Sequence, residues 1–513
     1  MTLILTAIAL SCAVLFGGGT RSGFLGDVAV QVLSVPLLVL AVLTLLTEQG
    51  GADGVHGRRR RRASWFLLLA ILGVGAVQLL PLPAGLIGSI TQRLPIGPVT
   101  LEGGTNPWHS ISVAPQAAWS GLASLIVPVA IFLGVSQLGE HDRVRLSKLL
   151  VVLGAVSLVI GLLQVAQGPG SQLRFFEYTN IEDAVGFFAN RNHFAALMYV
   201  LLVLVGAWLI SFRAGFRQRD LLTARNLLLL AAAFGLVVAT MAALATARSR
   251  AGMALTMVAL VGLVVLNRSS ARKSAGNPGA GAGISRLITV ILGFAVLFAV
   301  QFGLQRMMTR FGTDPLEDLR IPLTLTTLDA ALRSFPFGTG IGSFVPVFAV
   351  VERPTELMMS YANRAHNDFA EWLLEMGVVA PIVMGAALAW FVVASVRVWR
   401  AKEHTNEHAI LQRAATLVVL LLLGHSLVDY PLRTTALISV FAFASALLLP
   451  AKHDPAHVHR DDRRHARAPR EAMHAGRGFD EPRGTSRPLR PRESWGGQDV
   501  SWPEAWRGTK SDE

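Results

Sequence analysis

A single cysteine, Cys12, stands in 513 residues, which excludes a disulfide framework and a cysteine-based metal site. Charge is scarce as well: Asp, Glu, Lys and Arg make up 15% of the chain against 52% apolar residues. That balance excludes most soluble classes. Extended apolar–polar alternation is missing, which argues against a transmembrane β-barrel, and no internal repeat has a clear period. What the chain does have is block after block of consecutive apolar residues. A bilayer core about 30 Å thick takes roughly 17–25 such residues per helix, with every backbone polar group bonded internally. The fold class that follows is all-α, a polytopic membrane protein.

The blocks run approximately from Thr2 to Phe16, Val28 to Leu46, Trp65 to Leu80, Trp119 to Val135, Leu149 to Val165 and Phe194 to Ile210. They continue from Leu227 to Ala245, Ala251 to Leu266, Leu287 to Phe302, Val378 to Val396, Ala415 to Val428 and Thr435 to Leu449, about twelve transmembrane helices in all. The first block has the length of a signal sequence but no basic residues before it and no cleavage site after it, so it reads as a retained helix. Short-loop Lys and Arg residues set orientation. Arg58 to Arg62, Arg143 with Arg145 and Lys148, Arg213 to Arg225, Arg268 to Arg286, Arg397 to Arg413 and the tail from Lys452 alternate onto one side. Both termini are then cytoplasmic, and residues 81–118, 166–193, 246–250, 303–377 and 429–434 face the opposite, extracytoplasmic side. The expected organisation is a membrane core over 1–450, one large periplasmic loop over 303–377 within it, and a disordered cytoplasmic tail over 451–513. The formal net charge of +13 is spread over loops beside spans, where it sets topology and meets anionic lipid rather than nucleic acid. The tail mixes both charge signs with Pro and Gly and carries five histidines, His453, His457, His459, His465 and His474, without defined ligand spacing.

Four short polar motifs sit at the ends of apolar blocks, all on the side assigned to the periplasm: Asn190 to His193, Arg248 to Arg250, Ala365 to Phe369 and His425 to Arg433. Arginines there run against the topology bias, so Arg248 and Arg250 read as anion-binding groups, with interfacial snorkelling as the plainer reading. His366 has the side-chain chemistry of a base near neutral pH. Asn367 or Asp368 can orient it, bind a sugar, or cap the helix expected from Phe369. Asn190, Asn192 and His193 open the sixth span, either as caps or as ligands for a sugar or pyrophosphate. His425 and Asp429 are four apart and are expected to face one another across a helical turn. Glu371 and Glu375 are expected to line the aqueous side, or to serve as an alternative base or sugar-binding pair. Gly338, Gly340 and Gly342 form a GxGxG pattern outside any Rossmann context, so a nucleotide loop is not expected. The periplasmic segments show neither zinc-ligand spacing nor an Asp-x-Asp pair.

Taken in order, these motifs resemble the O-antigen ligase and O-antigen polymerase superfamily of bacterial inner-membrane glycosyltransferases. The residues that carry the likeness are Asn190-Arg191-Asn192-His193, Arg248-Ser249-Arg250-Ala251-Gly252, Arg320 with Pro336-Phe337-Gly338-Thr339-Gly340, His366-Asn367 with Gly377, and His425 to Arg433. The likeness covers roughly residues 30 to 450, with two departures: Arg191 where Pro is frequent, and Thr324 where a Trp is often seen. It implies a helical fold similar to membrane-embedded polyprenyl-donor glycosyltransferases, and transfer of a glycan from undecaprenyl pyrophosphate to an acceptor hydroxyl at the periplasmic face. The acceptor is lipid A core for a ligase and a second lipid-linked glycan for a polymerase. His366 is then the catalytic base, and Arg250, Arg248 and Arg320 bind pyrophosphate. Asn190, Asn192, His193, Asn367, Asp368, Tyr361, His425 and Asp429 bind substrate or support those that do. No metal and no cofactor are expected, because arginines take the place of a metal ion; the partners are lipid-linked glycans and membrane lipid. A flippase or transporter of lipid-linked glycan is the alternative, and it would place its polar residues near the bilayer midplane instead.

Overall fold

The computed structural model describes residues 1–21, 23–47, 54–83, 108–176, 180–214, 223–273, 293, 320–353, 362–401 and 406–452. One compact unit spans Met1–His453. The apolar blocks become helices: α1 (Thr2–Phe16), α2 (Leu25–Thr47), α3 (Gly54–Leu79), α4 (Pro115–Ser124), α5 (Ile126–Ser136), α6 (Glu140–Gln167), α7 (Arg191–Ala214), α8 (Ala224–Ala247) and α9 (Arg250–Lys273). After them come α10 (Arg320–Arg333), α11 (Phe344–Val351), α12 (Asp368–Met376), α13 (Val379–Arg400), α14 (Glu407–His425) and α15 (Thr435–Leu447), with a 3-10 turn at Pro431–Arg433. Among the described residues, the departure from an all-helical chain is a short antiparallel pair, Pro81–Pro83 with Trp108–Ser110.

Among the described residues, nine helices are long and apolar enough to cross a membrane, α4 and α5 counting together as Pro115–Ser136. The expected first and last spans, Thr2–Phe16 and Thr435–Leu447, are apolar but shorter. At 1.5 Å per residue they reach only about two thirds of a bilayer core. The block from Leu287 to Phe302, residue 293 apart, and the tail from His453 lie outside the described residues.

Helix α7 is the pillar of the unit. Its span is 89% buried, whereas α13 is 17% buried and turns its Ile382, Leu388, Val392 and Val393 outward. Apolar side chains gain little by leaving lipid for protein, so the helices around α7 associate through close packing. Gly252 shows how this serves the site: a Cβ there would stand 2.5 Å from the Ala195 Cβ, so its absence lets α9 begin directly against the start of α7.

Residues 320–353 and 362–376 build a second, smaller core of Leu323, Ala330, Ala331, Phe344, Val347, Phe348, Ala365 and Leu374. Helix α10 packs on α12 there, which brings Arg320 and His366 into one neighbourhood. The glycine pattern joins this core to α12. The amides of Thr339 and Gly340 donate to the carbonyls of Leu374 and Glu375 at 2.9 Å each. Gly338 sits at φ +72, and a Cβ on it would stand 2.6 Å from the Glu375 carbonyl oxygen.

Candidate active site

Asp429 follows the end of α14 and is fully buried. A carboxylate removed from water needs charge and hydrogen bonds around it, and four chain segments supply them. The Asn192 side-chain amide donates to Oδ2 at 2.6 Å and the Tyr430 backbone N–H to Oδ1 at 2.9 Å. His366 Nδ1 stands 3.3 Å from Oδ1, and Arg320 Nη2 stands 4.0 Å from Oδ2. Burial alone would raise the Asp429 carboxyl, but the His366 ring and the Arg320 charge hold it well below the usual range. It is therefore an anion at neutral pH.

His366 is reached through a backbone at φ +53, a left-handed conformation that costs a non-glycine residue roughly 1–2 kcal/mol. That turn aims its ring at Asp429 and sets it edge-on to Tyr430, centroids 4.9 Å apart. His193 meets the same Tyr430 ring at 4.9 Å, with both ring nitrogens buried and without a hydrogen-bond partner. Asn190 Nδ2 lies 3.5 Å from the Tyr430 hydroxyl, while its Oδ1 takes the Asn192 amide at 2.8 Å in the first turn of α7. Asn192, Arg320 and His366 thus converge on Asp429, and Asn190, His193 and His366 on the neighbouring Tyr430, a residue without a sequence-predicted role of its own.

Other expected residues lie around this cluster in different roles. Asn367 is the N-cap of α12, its Oδ1 accepting from the amides of Phe369 and Ala370. Asp368 Oδ2 accepts from the Ser426 hydroxyl at 2.7 Å and the Leu432 amide at 3.2 Å. Burial pushes its carboxyl up to about 7, against the pull of Arg433 and the Ser426 hydrogen bond. The expected His425–Asp429 side-chain pair does not form. Their link is the backbone bond from the Asp429 amide to the His425 carbonyl at 2.9 Å, and His425 Nδ1 pairs with the Tyr199 hydroxyl at 3.1 Å. The helix ends at His425, so Asp429 swings off the turn that would have stacked the two. Arg248 lies 3.2 Å from Glu182 and 3.3 Å from Asp183, and Arg191 reaches Asp183 at 2.9 Å. Arg250 opens α9, two residues beyond Arg248. Tyr361 lies outside the described residues.

Glu371 and Glu375 do not line water; both are buried. Arg433 stands 2.8 Å from Glu375 and 3.4 Å from Glu371, and Arg364 stands 2.8 Å from Glu371. Burial would raise Glu371, yet Arg433 and Arg364 bring it below its usual range, whereas burial keeps Glu375 above it. Asp368, Glu371 and Glu375 recur at helical spacing, and that pattern was the available signal for a buried charged face. No group of His, Cys, Asp and Glu able to hold a metal ion is present among the described residues.

The arrangement joins an ionised carboxylate to an imidazole with cationic and amide groups beside it, which suits proton removal from a hydroxyl. No curated protein matches the sequence. Residues 234–385 match the family model described as O-antigen ligase, a stretch that holds Arg248, Arg250, Arg320 and His366. By that match the chain is similar, over residues 234–385, to the O-antigen ligase family.

Proposed function

We propose that the protein transfers a glycan from undecaprenyl pyrophosphate to an acceptor hydroxyl at the periplasmic face of the bacterial inner membrane. The observation that carries this reading is the approach of His366 Nδ1 to Asp429 Oδ1 at 3.3 Å, with Asn192 and Arg320 on the same carboxylate. Asp429 as acceptor selects the tautomer with the proton on Nδ1 and leaves Nε2 for the acceptor hydroxyl. Nε2 takes the hydroxyl proton as the oxygen bonds to the anomeric carbon. The bond from that carbon to the pyrophosphate oxygen breaks, and the pyrophosphate leaves with the electron pair. Arg250 and Arg320 meet the charge that develops on it. Arg248 already spans Glu182 and Asp183 and joins them once the pyrophosphate displaces one of those partners. In this reading the arginines do the work a metal ion does elsewhere, and lipid A core or a second lipid-linked glycan supplies the hydroxyl. Both termini are cytoplasmic, about twelve spans cross the membrane, and residues 303–377 lie on the periplasmic side.

The test is transfer in proteoliposomes from a defined undecaprenyl-pyrophosphate glycan, with EDTA present and each acceptor offered in turn. The expected result is product on one acceptor, which names ligase or polymerase, and loss of product by roughly 10²-fold or more in His366→Ala and Arg250→Ala. Carrier glycan crossing the bilayer with no product on either acceptor would overturn the reading in favour of a flippase.

A further inference from the structure

Three acidic residues of one nine-residue helix, Asp368, Glu371 and Glu375 on α12, are buried outside the membrane-spanning segments. Burying carboxylates is costly unless each is bonded to something. Here the bonding partners flank both members of the His366–Asp429 pair. Glu371 accepts from the Ala365 amide at 3.1 Å and from the Arg364 guanidinium at 2.8 Å, the two residues that precede His366. Asp368 binds the Ser426 hydroxyl and the Leu432 amide, three positions before and three after Asp429. Arg433 lies against all three carboxylates, 2.8 Å from Glu375, 3.4 Å from Glu371 and 3.6 Å from Asp368. Thr324 adds a tether on the same arm, its hydroxyl donating to the Ala365 carbonyl at 3.3 Å.

We infer that Glu371 is a positioning residue for His366: by fixing Arg364 and Ala365 it holds the imidazole on its left-handed turn at the distance from Asp429 that proton transfer needs. The inference rests on the reading that His366 takes the acceptor proton. A left-handed histidine persists only where its neighbours over-determine it. Of the contacts to the Arg364–Ala365 arm, those from Glu371 are the two that are short and charge-assisted. The carboxylate has the further property that one oxygen serves each residue, so it sets the direction of the arm as well as its place. Asp368 does the same for the segment between α14 and the 3-10 turn that carries Asp429, and Arg433 locks the two anchors together.

The experiment uses the full chain in proteoliposomes with the undecaprenyl-pyrophosphate glycan as donor, comparing wild type, Glu371→Gln and Arg364→Gln. At position 371 glutamine keeps one acceptor and the side-chain length but loses the charge; at position 364 it removes the guanidinium that donates to Glu371. For both variants kcat is expected to fall by about 10- to 100-fold, as for a small misplacement of a reacting group, with donor KM within about twofold of wild type. The limb of the pH–rate profile that depends on His366 is expected to move. A second readout needs no turnover: diethyl pyrocarbonate modification of His366, followed by peptide mass spectrometry, is expected to speed up several-fold in Glu371→Gln while His141, exposed in the first turn of α6, reacts as before. Unchanged kcat and unchanged His366 reactivity in a folded variant would overturn the inference, as would a loss confined to KM. Should Glu371→Gln fail to fold, Arg364→Gln decides by the same criteria. If His366→Ala retains full transfer, the assignment of the base fails, and the modification rate still reports whether Glu371 holds His366 in place.

Discussion

At the scale of single residues, the balance of the site turns on Asp429. In the proposed reaction its charge keeps the proton of His366 on Nδ1, 3.3 Å away, and its burial makes any loss of that charge expensive to the pair. Asp429→Asn is nearly isosteric but presents either a neutral oxygen or an amide N–H to His366. The Asn192 amide, now 2.6 Å from Oδ2, would meet a second donor in one of the two orientations. The expected outcome is a fall in kcat of about 10²-fold or more with little change in donor KM, read from initial rates of glycan transfer. Much of this site could be read from sequence, because polar residues at the ends of apolar blocks are costly and so conspicuous. What could not be read was the pairing. His425 and Asp429 have helical spacing, yet the helix stops between them, and a stop of that kind depends on tertiary contacts made by Ser426 with Asp368. Tyr430, part of the His425 to Arg433 motif, was given no role for a related reason: it is a ring between His193 and His366, and ring contacts have no signature in spacing.

At the scale of the element, α12 and the glycine turn form one unit. Gly338 is at φ +72 with the Glu375 carbonyl 2.6 Å from where a Cβ would be. Gly338→Ala therefore meets both a conformational and a steric penalty, and is expected to destabilise the protein by about 1–3 kcal/mol, seen as a lower midpoint of thermal unfolding in detergent. The same helix carries a pH signature. Burial pushes Asp368 up to about 7 in the folded protein, opposed by Arg433 and the Ser426 and Leu432 hydrogen bonds and aided by Glu371. An unfolded Asp titrates near about 3.9. Between those two values the folded state binds more protons than the unfolded one, so stability falls as pH rises from about 4 to about 7. Asp368→Asn cannot titrate and is expected to flatten that part of the slope in thermal melts across the same range. Glu375, raised in the same direction, retains the remainder. Sequence spacing placed a helix from Phe369 with Asn367 or Asp368 as its cap; the structure starts the helix at Asp368 and makes Asn367 the cap. The aqueous setting expected for Glu371 and Glu375 was wrong because their partner, Arg433, lies 58 residues from Glu375 in the chain.

At the scale of the whole molecule, the open question with the most consequence is which side of the membrane each end of the bundle faces. The helix ends divide into two chemistries. Asn190, Arg250, Arg320 and Asp429 gather at the starts of α7, α9 and α10 and the end of α14. At the opposite ends lie Asp142, Arg145 and Lys148 at the start of α6 and Glu407 at the start of α14, with Lys148 2.8 Å from Glu407 and Arg145 2.9 Å from Asp142. The excess of Lys and Arg beside spans at those ends is the ground on which we propose that they are cytoplasmic. Cys12 is the single native cysteine, so a Cys12→Ser background with one new cysteine at a time gives a clean assay. Arg145 has a side chain 69% exposed and Glu182 one 66% exposed, and both can be replaced without entering the buried clusters. In intact spheroplasts a membrane-impermeant maleimide is expected to label Glu182→Cys and to miss Arg145→Cys until the membrane is opened. The reverse pattern would put the His366 cluster on the cytoplasmic side. A glycan carrier presented to the periplasm would then be out of reach of its own candidate base, and the proposed reaction would have to be abandoned whatever the geometry of the site.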